Sequence, residues 1–211
     1  MEDSDSGPAK TKNISWTATE VVKASSCWAR QYESLHGGYK NNSQNSKSIN
    51  NLEGSWVYLS TDGAVSRDSG YAATGGLALD HEGNWIVGFN RFLGVCSPFE
   101  AEVWGILDGI LILLSKGFRR IIILTDNLEV AQNLSTLNLE YLGIAVLRRT
   151  QRVMQSEGEW KIEYISRNLN SVADHLAKLS LNWKSNLQII VEALKEILDL
   201  LQADKASGYF M

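Results

Sequence analysis

Four acidic residues lie in four separate hydrophobic segments of this sequence: Asp62, Glu102, Asp126 and Asp174. Each follows or interrupts a run of apolar residues that is typical of a buried strand or helix. Burying unpaired carboxylates costs several kcal/mol, so acids that converge from such positions need a compensating cation. Hard divalent metals take oxygen ligands and suit a set of carboxylates. The four acids therefore predict a metal site, provided that the fold brings them together.

Two of these acids are expected at the carboxyl ends of neighbouring strands. Asp62 follows the strand-forming run 56–61 and precedes Gly63, so an Asp-Gly turn explains it equally well. Asp126 follows the β-branched run 121–125, and a helix N-cap is its structural alternative. Ligands collect at the carboxyl ends of strands where a sheet changes direction. We therefore expect both aspartates to project from adjacent strand ends at such a point.

The other two acids are expected on helices. Glu100 stands three residues after Ser97, a spacing that predicts a capping box at a helix start. Glu102 instead borders the helix face that packs on the sheet, a costly place for a carboxylate, and this favours a functional role. Asp174 stands three residues after Ser171, so a capping box competes with a functional role there.

The elements that must position these acids follow an α/β order. Three strand patterns joined by short connections predict an antiparallel meander, after which helices alternate with short strands. The predicted order is β-β-β-α-β-α-α-β-α, a mixed five-stranded sheet flanked by helices. The strands are expected at 56–61, 71–79, 84–92, 121–125 and 160–165, and the helices at 98–116, 128–134, 140–155 and 171–181.

The predicted domain organisation has four parts. Residues 1–36 form an N-terminal extension with a helix over 16–35, and residues 37–53 are a flexible linker rich in Gly, Asn, Ser and Lys. The main domain covers residues 54–181. In the last part, 182–211, an apolar stripe predicts a C-terminal amphipathic helix, docked either on the domain itself or on a protein partner.

Composition and charge restrict the class of protein. The formal net charge of −4 argues against nucleic-acid binding, yet residues 54–181 carry 14 acidic and 11 basic residues. Neutralising the four acids with metal would make this balance slightly positive. The longest apolar stretch, Val103 to Leu114, is too short to cross a bilayer, and the acidic N-terminus lacks the features of a signal peptide. These features predict an intracellular protein, cytoplasmic or nuclear, neither secreted nor in a membrane.

Four motifs that contain the acids closely resemble those of ribonuclease H, in particular the ribonuclease H-like domains of plant non-LTR retrotransposons and of genes derived from them. The resemblance covers about residues 54–181, and a segment of the third strand, 83–89, is similar as well. The order of the four motifs supports this resemblance more strongly than any single motif does. The motifs are Thr61-Asp-Gly-Ala, Ala101-Glu-Val-Trp-Gly-Ile-Leu-Asp-Gly, Leu124-Thr-Asp-Asn and Asn170-Ser-Val-Ala-Asp-His-Leu-Ala-Lys.

The resemblance implies endonucleolytic hydrolysis of the RNA strand of an RNA–DNA hybrid, with two Mg²⁺ ions for which Mn²⁺ can substitute. Carried over by position, Asp62 would bridge both metals. Glu102 and Asp126 would hold the metal that activates the attacking water, and Asp174 would hold the other. Two such cations can polarise the scissile phosphate and stabilise the leaving oxygen. The products would be a 5′ phosphate and a 3′ hydroxyl.

The sequence departs from the family pattern in two places. Many cellular members carry a mobile histidine in the loop before the fourth acid, whereas the loop 165–170 here has none, and His175 is not assigned that role. Arg167 in this loop is either a phosphate contact or a surface arginine. The basic protrusion of cellular members is also missing. A helical cluster stands in its place, either a nucleic-acid contact or a solvated face, formed by Arg148, Arg149 and Arg152.

Two functional interpretations follow from the sequence. The presence of all four acids favours an enzyme, because a binding protein has no need of that metal set. The acidic net charge and the missing histidine favour a domesticated, non-catalytic module of the same fold that binds nucleic acid or protein. An unexpressed retroelement relic is a third interpretation that the sequence leaves open.

Overall fold

The computed structural model describes residues 56–136 and 144–206. The predicted N-terminal helix, the linker and the start of the helix predicted at 140–155 lie outside these residues. The described part contains six strands and five α-helices. They are β1 (Val57–Val65), β2 (Tyr71–Leu79), β3 (Trp85–Val95), α1 (Pro98–Ser115), β4 (Arg120–Thr125), α2 (Leu128–Ser135), α3 (Ala145–Ser156), β5 (Glu159–Tyr164), α4 (Ser171–Trp183), β6 (Gln188–Ile190) and α5 (Leu198–Ala206).

All six strands form one mixed sheet in the order β5-β4-β1-β2-β3-β6. β4 pairs in parallel with β1 and with β5, whereas the pairs β1–β2, β2–β3 and β3–β6 are antiparallel. β1 therefore lies where antiparallel pairing changes to parallel pairing, as the sequence predicts. The predicted five-stranded count is one too low, because β6 adds a short strand beside β3.

Helices α1 and α4 pack on opposite faces of the central strands. Gly105 of α1 meets Thr74 of β2, and a Cβ on Gly105 would lie 2.3 Å from the Thr74 hydroxyl. On the other face, a Cβ on Gly75 would lie 2.3 Å from the backbone nitrogen of Ala177 in α4. Thr74 and Gly75 are consecutive in β2 and so face opposite sides of the sheet. The two helices thereby bring residues from both faces towards β1.

Helix α1 begins as the sequence predicts. The Ser97 hydroxyl accepts the Glu100 N–H, and the Glu100 carboxylate accepts the Ser97 N–H at 3.0 Å, which completes the capping box. Its C-terminus is followed by Gly117 at a φ of 91°, a backbone conformation that favours glycine. Within residues 56–136 and 144–206, none of the helices combines the length and the hydropathy that a membrane span requires.

The prediction of one C-terminal amphipathic helix is wrong. The segment forms β6, a short 3₁₀ turn over Lys195–Ile197 and then α5. The apolar positions are nevertheless used, because Ile197 and Leu201 are buried in the cluster that also contains Leu176 of α4. Short apolar runs are compatible with either a strand or a helix. Here β6 hydrogen-bonds to the edge of β3, a long-range pairing that the spacing does not encode.

Candidate functional site

Three of the four acids converge on one point. One carboxylate oxygen from each of Asp62, Glu102 and Asp126 lies within 4.8 Å of the other two. They come from three elements: strand β1, helix α1 and the residue that follows β4. Asp62 and Glu102 are only 4% and 7% exposed, so most of this cluster is shielded from water. Such a donor set fits a hard divalent cation that neutralises the carboxylates.

Asp62 lies inside β1 and not at its end. It is the sixth residue of this nine-residue strand and pairs with Gly75 of β2. The Asp-Gly turn is therefore ruled out. The parallel pairing of β1 with β4, in contrast, ends at Ser60. Asp62 is thus just beyond the last β1–β4 pair, where the open side of the strand can accommodate a cluster of side chains.

Glu102 reaches the cluster because α1 comes very close to β1. A Cβ on Gly63 would lie 2.6 Å from the backbone nitrogen of Glu102 and 2.8 Å from the carbonyl carbon of Ala101. Any larger side chain at Gly63 would push the first turns of α1 away. The backbone N–H of Gly63 also lowers the pKa of both Asp62 and Glu102, because it favours their ionised forms. The second oxygen of Glu102, Oε2, has no hydrogen-bond partner.

The carboxylates in the cluster repel one another. The pKa of Asp62 is raised to about 7, first by burial and then by the charges of Asp126 and Asp174. Burial, followed by the charges of Asp62 and Asp126, also raises the pKa of Glu102 well above its usual value. Arg167 and the Gly63 N–H act in the opposite direction on both groups, with smaller effects. Without a cation, the cluster therefore retains protons at pH values where isolated acids are ionised.

Asp126 follows β4 directly, as predicted, but it does not cap a helix. The N-cap of α2 is Asn127, whose side-chain oxygen accepts the Val130 N–H at 3.1 Å. Since its neighbour supplies the cap, the Asp126 carboxylate can point to the cluster. It also accepts a long hydrogen bond of 3.4 Å from the side-chain amide of Asn170.

Asp174 lies near the cluster without belonging to the group of three. Its charge is one of those that raise the pKa of Asp62, after burial and the charge of Asp126. Its Oδ2 lies 2.5 Å from Lys178 Nζ, and its Oδ1 lies 3.7 Å from an Arg167 nitrogen. The capping box with Ser171 does not form, because the N-cap residue of α4 is Asn170 and its side chain makes no capping hydrogen bond. Two cationic side chains therefore hold Asp174.

Asn170 is a site residue that sequence reasoning missed. Its side chain is buried, and its amide nitrogen donates to the Thr61 carbonyl at 2.9 Å as well as to Asp126. It thus joins the start of α4 to β1 and to the residue after β4. An asparagine directly before a helix resembles an N-cap, so no local signal distinguishes this bridging role.

Comparisons with known proteins place this arrangement in a family. A family model described as reverse transcriptase-like matches residues 60–180, more than half of the chain. The chain belongs to the reverse transcriptase-like family. A protein of Arabidopsis thaliana that carries a ribonuclease H name is 30% identical over 148 residues, which are 68% of this chain and 24% of that protein. The chain therefore spans about a quarter of the length of this curated relative.

Solved structures show the same fold for this member of the reverse transcriptase-like family. RNase H1 of the halophilic archaeon Halobacterium salinarum matches with a TM-score of 0.54 and 23% identity, covering 60% of this chain and 98% of that one. An N-terminal RNase H domain from Mycobacterium tuberculosis gives 0.55 and 18%, covering 62% and 96%. LC11-RNase H1, solved in complex with an RNA/DNA hybrid, gives 0.56 and 16%, covering 60% and 97%. The predicted ribonuclease H-like α/β fold is confirmed.

The basic residues predicted as nucleic-acid contacts interact with different acidic residues of this ribonuclease H-like domain. Arg167 lies beside Asp174, its side chain is 78% exposed, and its charge acts on Asp62. Arg149 on α3 instead acts on Asp108. The pKa of Asp108 is raised to about 6, because the effect of burial outweighs the opposing charges of Arg91 and, to a smaller extent, Arg149. The other two α3 arginines, Arg148 and Arg152, are exposed.

Proposed function

We propose that this protein is a metal-dependent endonuclease that hydrolyses the RNA strand of RNA–DNA hybrids. The observation that carries the proposal is the convergence of Asp62, Glu102 and Asp126, two of which are nearly buried. Within residues 56–136 and 144–206, the basic side chains nearest this site form their ion pairs with Asp174 and not with these three acids. A stable fold does not collect such charges without a function, because each costs free energy to bury. Membership of the reverse transcriptase-like family supports the same conclusion.

The proposed roles follow from the position of each carboxylate. Asp62 is central, because the charges of both Asp126 and Asp174 act on it. Asp62, Glu102 and Asp126 would bind one divalent cation, Mg²⁺ or Mn²⁺, and Asp62 with Asp174 would bind a second. Bound cations of this kind lower the pKa of an attacking water and neutralise charge on a phosphodiester.

Two further groups support this chemistry from the protein side. The Gly63 N–H lowers the pKa of both Asp62 and Glu102 and so favours the ionised carboxylates that bind a cation. Arg167 presents an exposed guanidinium beside Asp174, where it can pair with a substrate phosphate. It would therefore bind and orient the RNA strand. Hydrolysis would leave a 5′ phosphate and a 3′ hydroxyl.

The direct test is hydrolysis of an end-labelled RNA–DNA hybrid in the presence of Mg²⁺. The full chain is compared with Asp126→Asn, which keeps the size of the side chain but removes a charge from the cluster. Asp68→Asn is the matched control, since Asp68 is an exposed acid in the turn after β1. We expect the wild type and the control to cleave the RNA strand, and Asp126→Asn to be slower by about 100-fold or more. Wild-type activity no higher than that of Asp126→Asn would contradict the proposal.

A non-catalytic nucleic-acid-binding module is the second candidate. The observation that favours it is the engagement of Asp174 by Lys178 and Arg167, which occupies the fourth carboxylate with side-chain cations. A module of this kind would bind the hybrid with the same affinity with and without Mg²⁺ and would leave it intact. Gel-shift titrations with and without EDTA, run beside the cleavage assay, separate the two candidates.

A further inference from the structure

The first turn of α4 has an unusual pattern of hydrogen bonds. Asn170 occupies the N-cap position, where an asparagine side chain normally accepts an N–H of the first turn. Its amide instead donates to the Thr61 carbonyl and to Asp126. The backbone N–H groups of the first turn of α4, which have no partner within the helix, therefore need another acceptor.

A residue of the C-terminal helix supplies that acceptor. The Oδ2 atom of Asp204 in α5 accepts the Val172 N–H at 3.1 Å, across 32 residues of sequence. The backbone N–H of Ser171 donates to the same carboxylate, whereas the Ser171 hydroxyl donates to the Asn168 carbonyl at 3.3 Å. Asp204 is only 6% exposed, and a negative charge at a helix N-terminus is favourable. The carboxylate thus performs the capping that Asn170 does not.

The packing of α5 on α4 fixes the contact between Asp204 and the start of α4. Ile197 and Leu201, on the same side of the segment, are buried among Val172 and Leu176 of α4. This packing places Asp204 directly over the helix start. The same first turn carries Asp174, whose charge acts on Asp62.

We propose that Asp204 is a positioning residue for the candidate active site, acting as an N-cap supplied to α4 by another helix. Its capping releases Asn170 to connect the helix start with β1 and Asp126. Together the two residues fix Asp174 relative to the three clustered carboxylates. The expected effect of Asp204 on metal binding and catalysis rests on the proposed metal-dependent function. The capping of α4 by Asp204 can be measured separately.

The structural part is tested by hydrogen exchange in the full-length protein without metal. In Asp204→Ala the Val172 amide loses its acceptor, and we expect exchange at residues 171–174 to be faster by about tenfold, with amides of β1 and β4 unchanged. Asp204→Asn keeps an oxygen acceptor and should restore protection to within about threefold. Asp199→Ala removes an exposed carboxylate from the same helix and is the matched control. Uniform exchange changes across the domain, or none at residues 171–174, would overturn the proposal.

The consequence for the site is tested by Mn²⁺ binding and by kinetics. We expect Asp204→Ala to bind Mn²⁺ about threefold more weakly and to lower kcat about tenfold with little change in KM, with rescue by Asp204→Asn. If the wild type does not cleave hybrids at all, the proposed function fails, but exchange and Mn²⁺ affinity still decide the role of Asp204. If Asp204→Ala does not fold, Asp204→Glu displaces the carboxylate by one methylene and should show the same local increase in exchange. Wild-type Mn²⁺ affinity in a variant with fast local exchange would contradict the positioning role.

Discussion

Gly63 and Glu102 are in backbone contact across the β1–α1 packing, with the Glu102 nitrogen 2.6 Å from where a Gly63 Cβ would be. The absence of a side chain at Gly63 is thus what allows Glu102 to lie beside Asp62. Because Gly63 follows Asp62 directly in β1, one dipeptide provides a carboxylate, a backbone N–H that lowers the pKa of both acids and the space for α1.

We predict that Gly63→Ala separates Glu102 from Asp62. The added methyl must displace α1, which should lower the free energy of unfolding by about 1–3 kcal/mol and weaken Mn²⁺ binding by about tenfold or more. Urea denaturation and Mn²⁺ titration measure the two effects. Ile110→Val in the same helix is the control, because it removes a buried methylene at a cost of about 0.5–1.5 kcal/mol without altering the contact at Gly63. Equal Mn²⁺ affinity in Gly63→Ala and Ile110→Val would contradict this account of Gly63.

The second prediction concerns the dependence of stability on pH without divalent metal. The pKa of Asp62 is raised from 3.8 to about 7 in the folded state. Between these values the folded protein binds the proton and the unfolded chain does not. The proton on Asp62 therefore stabilises the folded protein fully below pH 4, and this stabilisation is lost as the pH rises towards 7. Urea denaturation in EDTA at pH 5, 6 and 7 should show a decline on the order of a few kcal/mol, part of which disappears in Asp62→Asn.

Divalent metal should reverse this trend. Because Mg²⁺ binds ionised carboxylates, the increase in unfolding free energy that Mg²⁺ produces should grow from pH 5 to pH 7. The same denaturation series with Mg²⁺ in place of EDTA measures it. A stabilisation by Mg²⁺ that is independent of pH, or that persists in Asp62→Asn, would show that the ion binds elsewhere.

Asn170→Ala is expected to impair the site more than the fold. The variant loses the hydrogen bond to the Thr61 carbonyl and the contact with Asp126, so two carboxylates are held less firmly. We predict a decrease in kcat of about tenfold or more in the hybrid-cleavage assay. Asn182→Ala, an exposed asparagine near the end of the same helix, should retain wild-type kinetics. Unchanged kcat in Asn170→Ala would remove Asn170 from the set of positioning residues.

The last prediction concerns Lys178. Its ammonium contacts Asp174, and a divalent cation that binds Asp174 must compete with it. Lys178→Gln should therefore strengthen Mn²⁺ binding, by about two- to fivefold because the ion pair is largely exposed. Lys195→Gln, which removes an exposed positive charge on the 3₁₀ turn, is the control for net charge. Equal increases in the two variants would indicate a general electrostatic effect and not competition at Asp174.

Local patterns in the sequence were sufficient for most of the elements. The capping box at Ser97 and Glu100 is encoded within four residues, and it identifies Glu102 as the acid left without a structural role. The position of β1 between a meander and a crossover strand also follows from the order of the elements. The roles assigned to individual site residues stay predictions.

Other features were decided by contacts between distant parts of the chain. Asp62 resembles a turn residue in sequence, yet the pairing of β1 with β2 continues past it. The C-terminal apolar stripe fits a helix, yet β3 pairs with part of it as β6. Asn170 resembles an N-cap, yet it bonds to a carbonyl 109 residues away, and Asp204 caps the helix instead.

The sequence by itself determined the α/β order, the family motifs and the four acids as candidates, because capping, turn residues and hydrophobic periodicity act over a few residues. Only the tertiary structure decided that three of the acids share one point while Asp174 is held by Lys178 and Arg167. The physical reason is that charge burial and close packing depend on which surfaces meet, and the contact at Gly63 exists only once α1 lies on the sheet.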